Sequence, residues 1–154
     1  MSTLRVILGD QLSRSLSALR DINIEEDIVL MMEVRDETNY VKHHQQKIVL
    51  VLSAMRHFAS SLKSEGIDVD YIRLDDPDNS GAFTGELERA LQRRRIDRIV
   101  ATEPGDWRVL DMMRCWSERV GLPVEIRDDD RFLCSHAEFQ TWAAARKNLR
   151  MEFF

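Results

Sequence analysis

Three of the four histidines fall within one stretch, Leu30 to Phe58, which reads LMMEVRDETNYVKHHQQKIVLVLSAMRHF. Imidazoles beside carboxylates are the raw material of metal sites and of acid–base chemistry. Here an apolar run ends in Glu33, a polar loop carries Asp36, Glu37 and Tyr40, and His43 and His44 open a long amphipathic segment. Helix geometry separates the histidines. His43 and His57 would stand ~21 Å apart along the axis, and the adjacent His43 and His44 diverge by about 100°. The HExxH spacing is absent, so no metal site is expected. His57 falls on the polar face of its helix and reads as a solvated or interface residue. His43 and Tyr40, near a helix start, suit capping or packing as well as ligand contact.

Other motifs narrow the chemistry further. Asp75 to Gly81 (DDPDNSG) resembles a calcium loop, but the closing glutamate position falls on Leu87, with Glu86 and Glu88 on either side. It reads as a turn-rich loop. The first apolar run ends in Gly9-Asp10-Gln11 without GxGxxG or a P-loop GKS/T, which disfavours NAD or ATP held by those phosphate cradles. Cys115 and Cys134 have no CxxC spacing and read as reduced thiols. No catalytic set is assigned.

Acids at strand ends remain: Asp10, Glu33, Asp75, Glu103 and Asp128. Open α/β sheets hold ligands beyond the carboxyl ends of their strands, at the point where strand order reverses. With order 3-2-1-4-5, Asp10 and Glu103 would flank that crevice, with Glu33 and the Glu37/Tyr40/His43 loop beside Asp10. An acidic, aromatic pocket suits a neutral ligand rich in N–H and hydroxyl donors. The competing reading is helix capping and solvated loop acids. Trp107, in the turn Thr102 to Arg108, lies off the apolar stripe of its helix. It would contact a ligand or another domain, or simply pack at the helix start.

Five short apolar runs must position these groups: Leu4 to Leu8, Asp27 to Val34, Val69 to Leu74, Asp97 to Ala101 and Pro123 to Ile126. Helical patterns alternate with them, which predicts βαβ units and a Rossmann-like three-layer α/β domain with a five-stranded parallel sheet. The long helix runs from about His43 to Glu65, stopped by Gly66. Its apolar stripe is Ile48, Val51, Leu52, Met55, Phe58, Ala59 and Leu62, and Val49 and Leu50 lie off it. Further helices are predicted over Phe83 to Arg94, over Trp107 to Val120, and from Ser135, where Glu138 completes capping-box spacing.

A length of 154 residues suggests one domain, 1–154. A net charge of −5 argues against a general nucleic-acid surface; the triplet Arg93-Arg94-Arg95 reads as a solvated helix end. The chain shows no signal-peptide pattern and no apolar stretch of the ~20 residues needed to span a bilayer. A cytoplasmic protein with no membrane partner is expected. The ending Leu149 to Phe154 is apolar and aromatic and is expected to pack on something.

The blocks LRVILGDQLS, ETNYVKHHQQKIVLVLSAMRHFA, LDDPDNSGAFTGEL, TEPGDWRV and RFLCSHAEFQTWAAARKNLRMEFF, in that order, resemble the amino-terminal domain of the photolyase-related proteins, the bacterial iron–sulfur (6-4) photolyases and cryptochromes. The resemblance covers essentially the whole chain. It implies an antenna domain that holds dimethyl-ribityl-lumazine and passes excitation to a flavin. It also implies a larger helical domain, not contained in these 154 residues, that binds FAD and the iron–sulfur cluster and contacts DNA. By matching blocks, Gly9, Asp10, Glu33, Glu37, Tyr40 and His43 would line the lumazine pocket and Val51 would face the ring; Met32 and Glu103 are added from strand-end geometry. This segment alone is expected to be catalytically inert, with DNA reached only through the full-length protein. The aromatic ending is then expected to be an edge between two domains, with Leu50 and Trp107 as further partner surfaces. The alternative is a stand-alone flavodoxin-like nucleotide-binding or interaction module.

Overall fold

Apolar, β-rich runs dictate the centre of the molecule. In a computed structural model that describes residues 1–150, Thr3–Ile7 (β1) and Ile28–Met32 (β2) are buried along their whole length, as strands covered on both faces are. With Asp68–Ile72 (β3), Arg98–Thr102 (β4) and Val124–Arg127 (β5) they form an all-parallel sheet of order β3-β2-β1-β4-β5. This is the expected Rossmann-like α/β arrangement. Register sets Ile7 beside Met31, and Val6 beside Ala101, so β1, β2 and β4 end together along one edge.

Period-two alternation divides the side chains between two layers. Leu4, Val6, Leu30, Met32, Ile99 and Ala101 pack against Phe83–Arg93 (α3), Trp107–Arg114 (α4) and Trp116–Val120 (α5). Ile7, Val29, Met31 and Val100 face the opposite way, onto Met55, Ala59 and Leu62 of the 20-residue helix Gln45–Ser64 and onto the 3₁₀ turn Ser17–Leu19. Each fully buried aliphatic side chain contributes ~1.5–3 kcal/mol. A short helix, Arg35–Asn39 (α1), precedes the long one (α2), and His136–Ala144 (α6) follows β5.

Helix ends follow local chemistry. Gly66 adopts φ +85°, and Ile67 N–H donates to Leu62 O at 3.2 Å, closing α2 through the left-handed conformation that glycine tolerates. His44 caps the start of α2 by accepting from Gln46 N–H at 3.2 Å. Ser135 and Glu138 form the predicted capping box.

Three local features differ from expectation. The polar loop after β2 contains one turn of helix, α1. The helix predicted over Trp107 to Val120 is broken at Cys115, whose N–H bonds back to Met112 O. The break precedes Trp116, which is fully buried and donates from its indole N–H to Thr84 Oγ1 at 3.0 Å. Arg93 and Arg94 are not merely solvated: they pair with Asp70 and Asp68 of β3.

Val49 and Leu50 are 64% and 70% exposed, and Trp107 is 67% exposed. Met151 to Phe154, and with them the expected packing of the aromatic ending, lie outside the described residues.

Candidate functional site

Because β1, β2 and β4 end level, their following loops converge. A cavity of about 290 Å³ opens there, close to the low end of the ~300–1,000 Å³ typical of small-molecule pockets. Leu8 and Gly9 bring the end of β1 to it, Met32, Glu33 and Val34 the end of β2, and Pro104, Asp106 and Val109 the β4–α4 turn. The helix α2 covers one side with Ile48, Val51, Leu52 and Met55, its inward stripe. The floor is therefore apolar. The rim is polar, made by Asp10, Glu37, Thr38, Tyr40, His43 and Lys47.

Eight of the nine predicted residues meet on this cavity: Gly9, Asp10, Met32, Glu33, Glu37, Tyr40, His43 and Val51. Glu103 does not. It lies just past β4, which ends at Thr102, in the turn that leads to α4. There it lines a separate hollow with Trp107, Phe132 and His136, its carboxylate 3.9 Å from His136 Nε2.

Gly9 lies close against α2. A Cβ built on it would lie 3.0 Å from Met55 Sδ and 3.3 Å from Val51 Cγ1. A side chain there would intrude on the cavity wall.

The Glu33 carboxylate is engaged within the protein. It is buried and takes four hydrogen bonds: from Arg56 Nε at 2.6 Å, Arg56 Nη2 at 2.8 Å, the Tyr71 hydroxyl at 2.6 Å and Leu74 N–H at 2.8 Å. Burial pushes its carboxyl up, but these donors outweigh burial and hold it below the ordinary glutamate value. Burial, then the bond to Glu33, raises the Tyr71 phenol. The bond to Glu33 also raises Arg56. Glu33 thus braces β2, β3 and α2 beneath the cavity.

The rim is tied differently. Arg108, at the start of α4, donates to Glu37 Oε1 at 2.7 Å, and its guanidinium lies 4.4 Å from the centre of the Tyr40 ring. Tyr40 meets His43 edge-on at 5.4 Å, and His43 Nδ1 lies 3.4 Å from Lys47 Nζ. Asp106 caps α4 by accepting from Arg108 N–H at 2.8 Å. Among the described residues, the Asp10 carboxylate has no hydrogen-bond partner, although Asp10 O accepts from Arg131 at 2.8 Å. An apolar floor with a carboxylate at its mouth, beside Arg131 but not hydrogen-bonded among the described residues, can hold a planar, mostly neutral molecule and orient its hydroxyl or N–H groups.

Sequence reasoning missed Arg56, Arg108 and Gln11. Gln11 is fully buried and its amide donates to Thr102 O and Glu103 O, both at 3.1 Å, joining the ends of β1 and β4. A polar residue directly after Gly-Asp at a strand end was the available signal for Gln11. The two arginines sit among many charged helix positions and carry no local signal.

Fold and site together define an α/β domain with a ligand crevice at the carboxyl edge of its sheet. Residues 5–154 match the deoxyribodipyrimidine photo-lyase-related proteins, and the chain belongs to that family. It is 51% identical over 154 residues to a (6-4) photolyase of Agrobacterium fabrum, covering all of this chain and 30% of the length of that relative. No helix among the described residues is long and apolar enough to cross a membrane.

Proposed function

We propose that this chain is the light-harvesting, chromophore-binding domain of a photolyase-related protein, and that its ligand is dimethyl-ribityl-lumazine. The observation that carries the reading is the cavity at the β1/β2 edge, with its apolar floor, polar rim and no glycine-rich phosphate loop. The lumazine supplies near-ultraviolet absorption when bound. The protein's own residues do the rest. Val51, Met55, Leu8 and Met32 offer an apolar bed for a fused ring and exclude water from it. The Asp10 carboxylate accepts from ribityl hydroxyls or ring N–H groups, as does Glu37 Oε2, the oxygen not bonded to Arg108; bonds to charged groups contribute roughly 1.5–3 kcal/mol each.

In the whole protein, a helical domain would hold FAD and the iron–sulfur cluster and contact DNA. Light would drive electron transfer from reduced flavin to a pyrimidine (6-4) photoproduct, or serve signalling, in the cytoplasm. The exposed Leu50 and Trp107 would face that domain. This chain alone would be catalytically inert.

The reading is tested by titrating the purified chain with dimethyl-ribityl-lumazine while following its fluorescence, beside the Val51→Trp variant. Saturable binding that Val51→Trp abolishes is expected. Absence of binding, or equal binding by the variant, contradicts the assignment of this cavity.

A further inference from the structure

The segment 35–44 crosses the rim of the cavity, supplying Glu37, Thr38, Tyr40 and His43 to its wall. It is weakly anchored. The side chains of α1 are half-buried or exposed, and its N-cap, Val34, makes no side-chain cap bond. Among the described residues, two hydrogen bonds tie this segment to the rest of the domain outside α2: Asp36 N–H to Gly81 O at 3.0 Å, and Arg108 Nη2 to Glu37 Oε1 at 2.7 Å. Arg108 adds its stacking over Tyr40. One side chain from α4 therefore grips the strap at two points, three residues apart. Arg108 does not itself line the cavity.

Resting on the chromophore reading, we infer that Arg108 is a positioning residue that latches the 35–44 strap over the cavity and sets the rate at which the ligand enters and leaves. Closing the strap brings Tyr40 and His43 against the ligand, and opening it requires the Glu37 pair and the Tyr40 stack to part together. Both contacts are at the surface: the Arg108 side chain is 46% exposed and that of Glu37 33% exposed. Surface contacts of this kind are individually weak, which lets the latch open. Lysine would keep the charge but lose the flat stack on the ring.

The test compares the wild-type chain with Arg108→Ala and Arg108→Lys, neither of which disturbs the core. Release of dimethyl-ribityl-lumazine is followed by fluorescence after rapid dilution. Arg108→Ala is expected to release it about tenfold faster, equivalent to ~1.4 kcal/mol, with entry accelerated as well, so that affinity changes less than either rate. Arg108→Lys should fall between. Raising salt toward ~1 M, where screening acts within about 3 Å, should speed release from the wild type and leave Arg108→Ala nearly unchanged. Equal release rates in wild type and Arg108→Ala overturn the latch. Backbone hydrogen exchange of 36–43 in the ligand-free chain gives a reading independent of the lumazine. Faster exchange in Arg108→Ala supports the latch even if the lumazine does not bind, and unchanged exchange overturns it.

Discussion

Arg56 meets Glu33 side-on, its Nε and Nη2 donating to the two carboxylate oxygens at 2.6 and 2.8 Å. The carboxylate side of this fork is wholly buried while the arginine side is 42% exposed. A guanidinium on the outer surface of α2 thus neutralises a charge that β2 carries to the wall of the cavity.

Removing the arginine leaves that buried charge with only Tyr71 and Leu74 as donors. Arg56→Ala is expected to destabilise the fold by ~1.5–3 kcal/mol, read as a shift in urea midpoint. Glu33→Gln removes the charge but sets an amide NH2 donor against donors that now bond a carboxylate oxygen, so it too should destabilise the fold.

Acid should weaken the fold through the same group. The folded Glu33 carboxyl titrates below its ordinary value, so the unfolded chain binds more protons at acid pH. The stabilisation is fully present above the unfolded value of ~4.3, and it is lost as pH falls through the lower folded value. Asp21, held down by the Arg127 and Arg5 donors, and Asp27, where donors including Arg5 outweigh burial, act in the same direction. The free energy of unfolding from urea titrations should stay level from about pH 7 to pH 5 and fall below that in the wild type, less steeply in Glu33→Gln by up to ~1.4 kcal/mol per pH unit.

Crowding at Gly9 predicts an effect on the cavity rather than on the sheet. Gly9→Ala places a methyl against Met55 Sδ and Val51, and the flexible methionine can yield, so the loss of stability should stay within ~1–3 kcal/mol. Lumazine affinity should drop about tenfold or more, because the displaced methionine must move within the cavity wall. Calorimetric titration and thermal unfolding of the same sample separate the two effects.

Much of the fold was legible because its signals are local. Continuous apolar runs such as IVLMM mark strands covered on both faces, Gly66 marks a helix stop, and Ser135 with Glu138 marks a start. The break at Cys115 was not legible: the helical stripe runs on through Met112, Met113 and Trp116, and only the tertiary packing of the Trp116 indole reveals the turn. At the site, the family resemblance named seven of the eight residues that meet on one cavity, and strand-end position added Met32 correctly but placed Glu103 there as well. The arginines were hidden for a different reason. Arg56 and Glu33 are 23 positions apart, and Arg108 and Glu37 are 71 apart. Such pairs exist only once helices have docked, and a sequence rich in surface arginine and acid offers many equivalent partners.

The most direct test of the central claim is to purify the chain from cells that make dimethyl-ribityl-lumazine and to identify the retained small molecule by native mass spectrometry. The account predicts one lumazine per chain, absent from Val51→Trp prepared in the same way. A nucleotide in its place, or a wild-type chain that emerges empty and stays empty on adding the lumazine, would contradict it.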